Sequence, residues 1–315
     1  QTGVAKGDAY KLSGTSAAID PGEYSCTATP TSNYLWEDGT SGAVTVKWSI
    51  AKGNPNIVAT PVSVIVEAGG KATVDLKQTG LSAYSVASSD SSVATASVLG
   101  SKVTISAVKS GSVQVTVSTA ATSRFDAGSA VVTVSVPLAA GVTESVSGAT
   151  SSGVVNKYKI TTKASATDSK VVPAVAFVGT TTKSGKFGVP ASVTLSDGIS
   201  YKVTSIGAKA LKGKKFSSIT ISKNATRIGK EAFAGCKKLK AITISAKVKR
   251  IDAGVLKGAG AKTATVKTAK LSKASIKGLV KGSKLTTIKC SGVNKKVKAK
   301  YTSWAKAYKP NIKVK

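Results

Sequence analysis

"RIGKEAFAGCKKLKAITI", Arg227–Ile244, decides how the second half of the chain folds. It begins as a short basic turn of helix carrying Ile228, Ala232 and Phe233. It ends as an alternating strand with Ile242 and Ile244 on one side. A unit this short cannot bury its own apolar face, so it needs neighbours of the same kind. The neighbours recur with a period of 22–24 residues. Ile206, Ile228 and Ile251 correspond, as do Ala210-Leu211, Ala232-Phe233 and Val255-Leu256. The triplets "ITI" (219–221), "ITI" (242–244), "ATV" (264–266) and "IKC" (288–290) follow at spacings of 23, 22 and 24. Each unit is expected to be a short strand, a turn, an apolar half-helix and a return.

Composition narrows the chemistry. There is no histidine and no methionine, and there are three cysteines in 315 residues. Without histidine there is no Ser-His-Asp or Cys-His nucleophile and none of the usual zinc geometries. Val, Thr, Ser, Ala and Gly favour strands and tight turns. No apolar run approaches the roughly 20 residues of a membrane helix. No signal peptide opens the chain, which reads as a processed form.

Charge is lopsided. Residues 201–315 hold 31 Lys and Arg against two acids, Glu231 and Asp252, a net +29; residues 1–200 hold 15 bases and 12 acids, a net +3. A neutral front with a basic rear implies a directional electrostatic partner. Only Arg124, Arg227 and Arg250 are arginine. Lysine is a hydrated point charge, so the pattern favours diffuse attraction to a polyanion over base-specific reading of nucleic acid.

The front half is read as β structure. "EYSCTA" alternates Tyr24, Cys26 and Ala28; "AVTVKWSI" alternates Val44, Val46, Trp48 and Ile50; "NYLWEDGT" turns at Asp38-Gly39. This stretch resembles a short β module repeated in surface proteins of Gram-positive gut bacteria. In that module "QTGV", here residues 1–4, follows a few residues of strand, so a first strand is expected to be missing and an edge open. Farther on, "SSDSSVATAS" and "GSKVTISAVKSGSVQVTV" carry Ser88, Ser89, Asp90, Val93 and Ala94, then turns at Gly100 and at Lys109–Gly111. They resemble the group 2 bacterial immunoglobulin-like domain, which implies a spacer or adhesive module of an exported protein. "LAAGVTESVSGATSSG" reads as a linker; "NKYKI", "AVAFVG" and "ASVTL" read as strands.

The repeats themselves resemble the BspA-like (treponemal-type) leucine-rich repeat, through Ile228, Gly229, Ala232, Phe233, Cys236, Leu239, Ile242 and Ile244. The expected class is therefore mainly β and multidomain, closing in a short α+β leucine-rich-repeat solenoid. Residues 1–52 form the small β module, 53–137 the immunoglobulin-like β-sandwich, 138–200 the linker and β lead-in, and 201–315 the solenoid with its basic C-terminal cap.

In that register Cys236 is a small core-facing filler, Cys290 takes an Ile/Val strand position, and Cys26 alternates with Tyr24; three buried free thiols are expected. Asp38 and Asp90 read as turn caps rather than metal ligands. "SWAK", Ser303–Lys306, has the Ser-x-x-Lys spacing of penicillin-recognising enzymes, without their partner motifs. The tail interleaves Tyr301, Trp304 and Tyr308 with lysines, either as a cap on the last repeat or as a stacking surface.

The resemblances imply a non-enzymatic surface protein, an adhesin or binding module, secreted or wall-associated, with no cofactor and no metal. Lys237, Lys238, Lys240, Lys247, Lys249, Arg250, Lys295, Lys296, Lys298 and Lys300 are the candidate polyanion-binding residues. Cell-wall teichoic acid, host glycosaminoglycan and host matrix protein are the partners considered. The alternative is a subunit of an extracellular filament or surface layer, self-associating through the N-terminal edge.

Overall fold

The computed structural model describes residues 9–79, 83–147 and 153–315. "QTGV" lies outside them.

β1 (Tyr10–Gly14), β2 (Gly22–Pro30) and β3 (Val44–Ile50) form an antiparallel meander in that order. The register pairs Leu12 with Ala28, Cys26 with Val46 and Tyr24 with Trp48, which collects the apolar side chains on one face. The Tyr24 and Trp48 rings stack at 4.7 Å. Nothing described covers this face: Leu12, Val44 and Val46 are 53%, 48% and 57% exposed. Among the described residues no strand pairs with the outer side of β1 or β3. Asp38 behaves as a turn cap, its Oδ1 accepting from the Thr40 amide and hydroxyl at 3.0 and 2.7 Å. Asp90 does the same for Ser92. These bonds hold both carboxyls below their ordinary value.

The next eight strands are β4 (Val58–Thr60), β5 (Ser63–Ile65), β6 (Lys71–Lys77), β7 (Tyr84–Ser88), β8 (Ala94–Leu99), β9 (Lys102–Ala107), β10 (Gly111–Thr119) and β11 (Gly128–Val136). They make two four-stranded sheets, β4-β6-β9-β8 and β5-β11-β10-β7. Strict alternation along β10 sends every second residue inward. Val74, Ile105, Val115, Val117 and Val134, drawn from both sheets, are fully buried in one core.

The rest of the chain has a second, larger core. Its strands are β12 (Thr143–Ser147), β13 (Val155–Thr162), β14 (Ala174–Thr180), β15 (Ser184–Gly188), β16 (Ser192–Thr194) and β17 (Ser200–Ile206), followed by the repeats. Residues 143–147, read as linker from their polar composition, are an edge strand, and Leu138 before them packs into this core. The repeats supply β18 (Lys215–Thr220), β19 (Arg227–Ile228), β20 (Ala241–Ile244), β21 (Arg250–Ile251), β22 (Thr263–Val266), α1 (Lys273–Val280), β23 (Thr287–Cys290), α2 (Lys295–Lys306) and β24 (Lys313–Val314). One sheet runs β12-β13-β14-β17-β19-β21, and the other runs β15-β18-β20-β22-β23-β24. The repeat strands are parallel and in the register that the periodicity gives. Ile206 stands beside Ile228 and Ile228 beside Ile251. Ile219, Ile242, Ala264 and Ile288 form a second row.

The expected half-helices are mostly not helices. From Gly207 to Lys257 they are tight turns whose amides bond the next repeat, as Leu211 N to Ala232 O at 2.9 Å and Phe233 N to Val255 O at 3.0 Å. An amide committed to the neighbouring repeat cannot also close the i−4 ladder of an α-helix. Only α1 forms one, capped by Ser272, whose side chain accepts from Ser275 N.

The tail is a cap. Tyr301 of α2 is 1% exposed, accepts from Leu271 N at 3.0 Å and donates to Thr268 O at 2.9 Å. Trp304 and Tyr308 pack half-buried against the same core, while most of the helix's lysines face water.

Asp197 escaped the sequence reading. It is fully buried, and it accepts from Leu138 N, Ile199 N and the Tyr201 hydroxyl at 3.0, 3.1 and 2.6 Å. It thereby ties the end of the β4–β11 unit to the lead-in strand β17. Asp197→Asn loses part of this acceptor set and is expected to cost about 1–3 kcal/mol. A urea titration that leaves the midpoint unchanged would contradict this.

Candidate functional site

The candidate site is the lysine-rich exterior of the repeats. Its strands alternate exposed and buried, as in β20, where Ile242 and Ile244 face the core and Ala241 and Thr243 face out. The outward row next to Thr243 is Thr265 and then Lys289. Lysines therefore concentrate in the connections, where a long side chain needs no neighbour. Backbone bonds stack these connections too. Lys240 N donates to Ser217 O, and Lys262 N donates to Lys240 O, which sets Lys240 and Lys262 at one register position in adjacent repeats.

The ten candidate residues lie on three stretches of the chain. Lys237, Lys238 and Lys240 lie exposed on the approach to β20. Lys247, Lys249 and Arg250 lie exposed on the way into β21; Lys247 donates to Asn224 Oδ1 at 3.3 Å. Lys295, Lys296, Lys298 and Lys300 are on α2, with Lys298 half-buried. Arg250 is not free: its Nε donates to Asp252 Oδ1 at 2.7 Å, while Arg227 holds Oδ2 at 2.6 Å. Glu231 is held by Lys212 at 2.7 Å. Lys212 is the main reason that the Glu231 carboxyl sits below its ordinary value. For Asp252, burial pushes up but the two arginines outweigh it, and the net direction is down.

The thiols separate from one another. Cys236 is fully buried and unpaired, its S–H donating to Leu211 O at 3.0 Å. Burial pushes this thiol up to about 11. Cys290 and Cys26 are unpaired but only half-buried, which corrects the expectation of three buried thiols. Cys290 is less covered because only the two-residue β24 follows its strand. The thiolate is the reacting form, so a bulky thiol reagent is expected to label Cys26 and Cys290 well before Cys236. Prompt labelling of Cys236 in the native protein would contradict this. Ser303 and Lys306 of the Ser-x-x-Lys stretch are both exposed on α2. No helix among the described residues is long and apolar enough to cross a membrane.

Comparison with known proteins bears on the repeats. Residues 199–302 match the model of the BspA type leucine rich repeat region, in six copies. A leucine-rich repeat protein from Bacteroides capillosus is 22% identical over 39% of this chain and 98% of its own, with a TM-score of 0.28. A leucine rich cell surface protein from Faecalibacterium prausnitzii is 17% identical over 48% of this chain and 46% of its own, also at 0.28. Domains 4 and 5 of the S-layer protein SbsC are 22% identical over 42% of this chain and 74% of their own, at 0.23. No curated protein matches.

Proposed function

We propose that this chain is a non-enzymatic bacterial surface protein whose leucine-rich-repeat solenoid binds polyanions, with an immunoglobulin-like unit in front as spacer. Its setting would be secreted or wall-associated, and its partners cell-wall teichoic acid or host glycosaminoglycan. One observation carries the reading. Ion pairing uses both acids of residues 201–315 and only Lys212, Arg227 and Arg250 of the bases. Among the described residues that leaves 28 of 31 bases without a carboxylate partner. A fold does not need such an excess, which destabilises it by self-repulsion.

The two halves have separate cores, so they can be compared. Residues 1–137 carry nine bases and nine acids; residues 138–315 carry 37 and five. The 138–315 fragment is expected to bind teichoic acid and heparin, and the 1–137 fragment to bind neither. Equal affinity of the two would overturn the reading.

A second reading has its own observation: the exposed apolar face of β1–β3, and its edges, which no other described strand pairs, suit a filament or surface-layer subunit that joins through this module. Light scattering of the full chain tests it, because such a subunit grows in mass with concentration and Val46→Lys suppresses the growth. A monomer at all concentrations overturns it.

A further inference from the structure

Apart from the nine candidate lysines, the repeats open a cleft of about 800 Å3 where the turn after β21 meets α1, with Arg250 among its lining residues. Ala253, Gly254, Ala274 and Gly278 are the small residues that line it. The backbone forces Gly278, since a Cβ there would lie 2.3 Å from Asp252 O. Gly254 sits at φ +67, where a side chain is strained. Close packing of turn against helix thus leaves a concave space that no side chain fills.

The rim is of opposite character. Lys230, Lys257, Lys277 and Lys281 line the cleft and are exposed. The stem of Lys257 lies along the wall over Gly254 and Gly282. Lys277 Nζ stands 5.3 Å from the centre of the Tyr308 ring, which holds it by cation–π attraction. The carboxylates at the cleft, Glu231 and Asp252, are already engaged by Lys212 and by Arg227 and Arg250. Four lysines therefore rim a space whose two carboxylates are already paired.

The size and chemistry of this space select a ligand class. The volume is in the range of small-molecule sites and well above that of one inorganic anion. Ammonium groups act as point charges toward phosphate oxygens, and Arg250, the guanidinium at the site, is turned to Asp252. Among the described residues no aromatic ring lines the cleft, so none of them offers a platform for a sugar ring there. We propose that the cleft binds successive phosphates of a flexible polyol-phosphate chain. This deepens the polyanion reading and rests on it.

Ala274→Phe fills the cleft without altering charge, at an exposed position in the first turn of α1. Lys257→Gln/Lys281→Gln removes two ammonium groups instead. With the full chain, calorimetry would compare a short glycerol-phosphate oligomer, a heparin tetrasaccharide and long heparin. Both variants are expected to weaken the oligomer about tenfold or more. Ala274→Phe leaves the tetrasaccharide and long heparin unchanged, because those bind the exterior lysines. Undiminished oligomer affinity in Ala274→Phe, with its melting temperature retained, overturns the cleft alone. So does a tetrasaccharide that loses as much as the oligomer. If the unmodified chain binds neither long heparin nor polymeric teichoic acid, the polyanion reading fails, and the cleft proposal with it.

Discussion

Raising salt from about 50 to 200 mM is expected to weaken polyanion binding by the repeats roughly 10³-fold, provided that about six anionic groups are contacted. The physical source is counterion release. A linear polyanion carries condensed cations, and each lysine that neutralises a phosphate or sulfate frees one into solution. That entropy gain shrinks as bulk salt rises, so the effect multiplies with each contact. The geometry favours many contacts at once. Lys240 and Lys262 share a register position in adjacent repeats, and neighbouring strands lie only about 4.8 Å apart. Such like charges repel within a Debye length of about 10 Å at 0.1 M, and a bound polyanion relieves them together. Buried pairs behave otherwise, because water and ions cannot screen them. A titration of heparin or teichoic acid against the full chain, repeated across the salt series, reads the slope directly. A flat response would mean that recognition rests on specific pockets and that the charge is only a solvated exterior.

How much of this was legible in the sequence follows from which interactions are periodic. The rows Ile206-Ile228-Ile251 and Ile219-Ile242 are fixed by apolar spacing alone, and the structure keeps them in register. Turn chemistry was legible at Asp38 and Asp90 because an Asx turn is local. The half-helices were misread because the deciding bonds run between repeats, from Leu211 to Ala232 and from Phe233 to Val255. Asp197 was missed for the same reason, since Leu138 lies 59 residues away in sequence. The site was half legible. Charge asymmetry marked the repeats, but the cleft depends on Gly278 meeting Asp252 O across two repeats, and no local pattern announces that approach. The front meander shows the converse. Its alternation was correct, yet alternation implies a covered face, and Val44 and Val46 remain about half exposed.

Phe233→Ala is expected to lower the stability of the repeats by about 3–5 kcal/mol. Phe233 is fully buried in the middle of the stack, at the position that Leu211 and Leu256 take in the repeats on either side. Removing its ring deletes transfer energy and leaves a hole between two adjoining repeats, which backbone bonds from Leu211 N to Ala232 O and from Phe233 N to Val255 O hold in place. Phe233→Leu should cost less than about 1.5 kcal/mol, because leucine already suits the same position twice. The contrast distinguishes loss of volume from any special role of the ring. Stability in a stack is a sum over units and nearest-neighbour interfaces, so the defect should also be regional. Amide protection is expected to fall across β17–β23. Protection in β4–β11, whose core contains no residue of the repeats, should hold. Native-state hydrogen exchange measures both regions in one sample. An equal loss of protection in the two would show that they unfold as one cooperative body. A loss below about 1 kcal/mol in the repeats would mean that the stack closes over the missing ring.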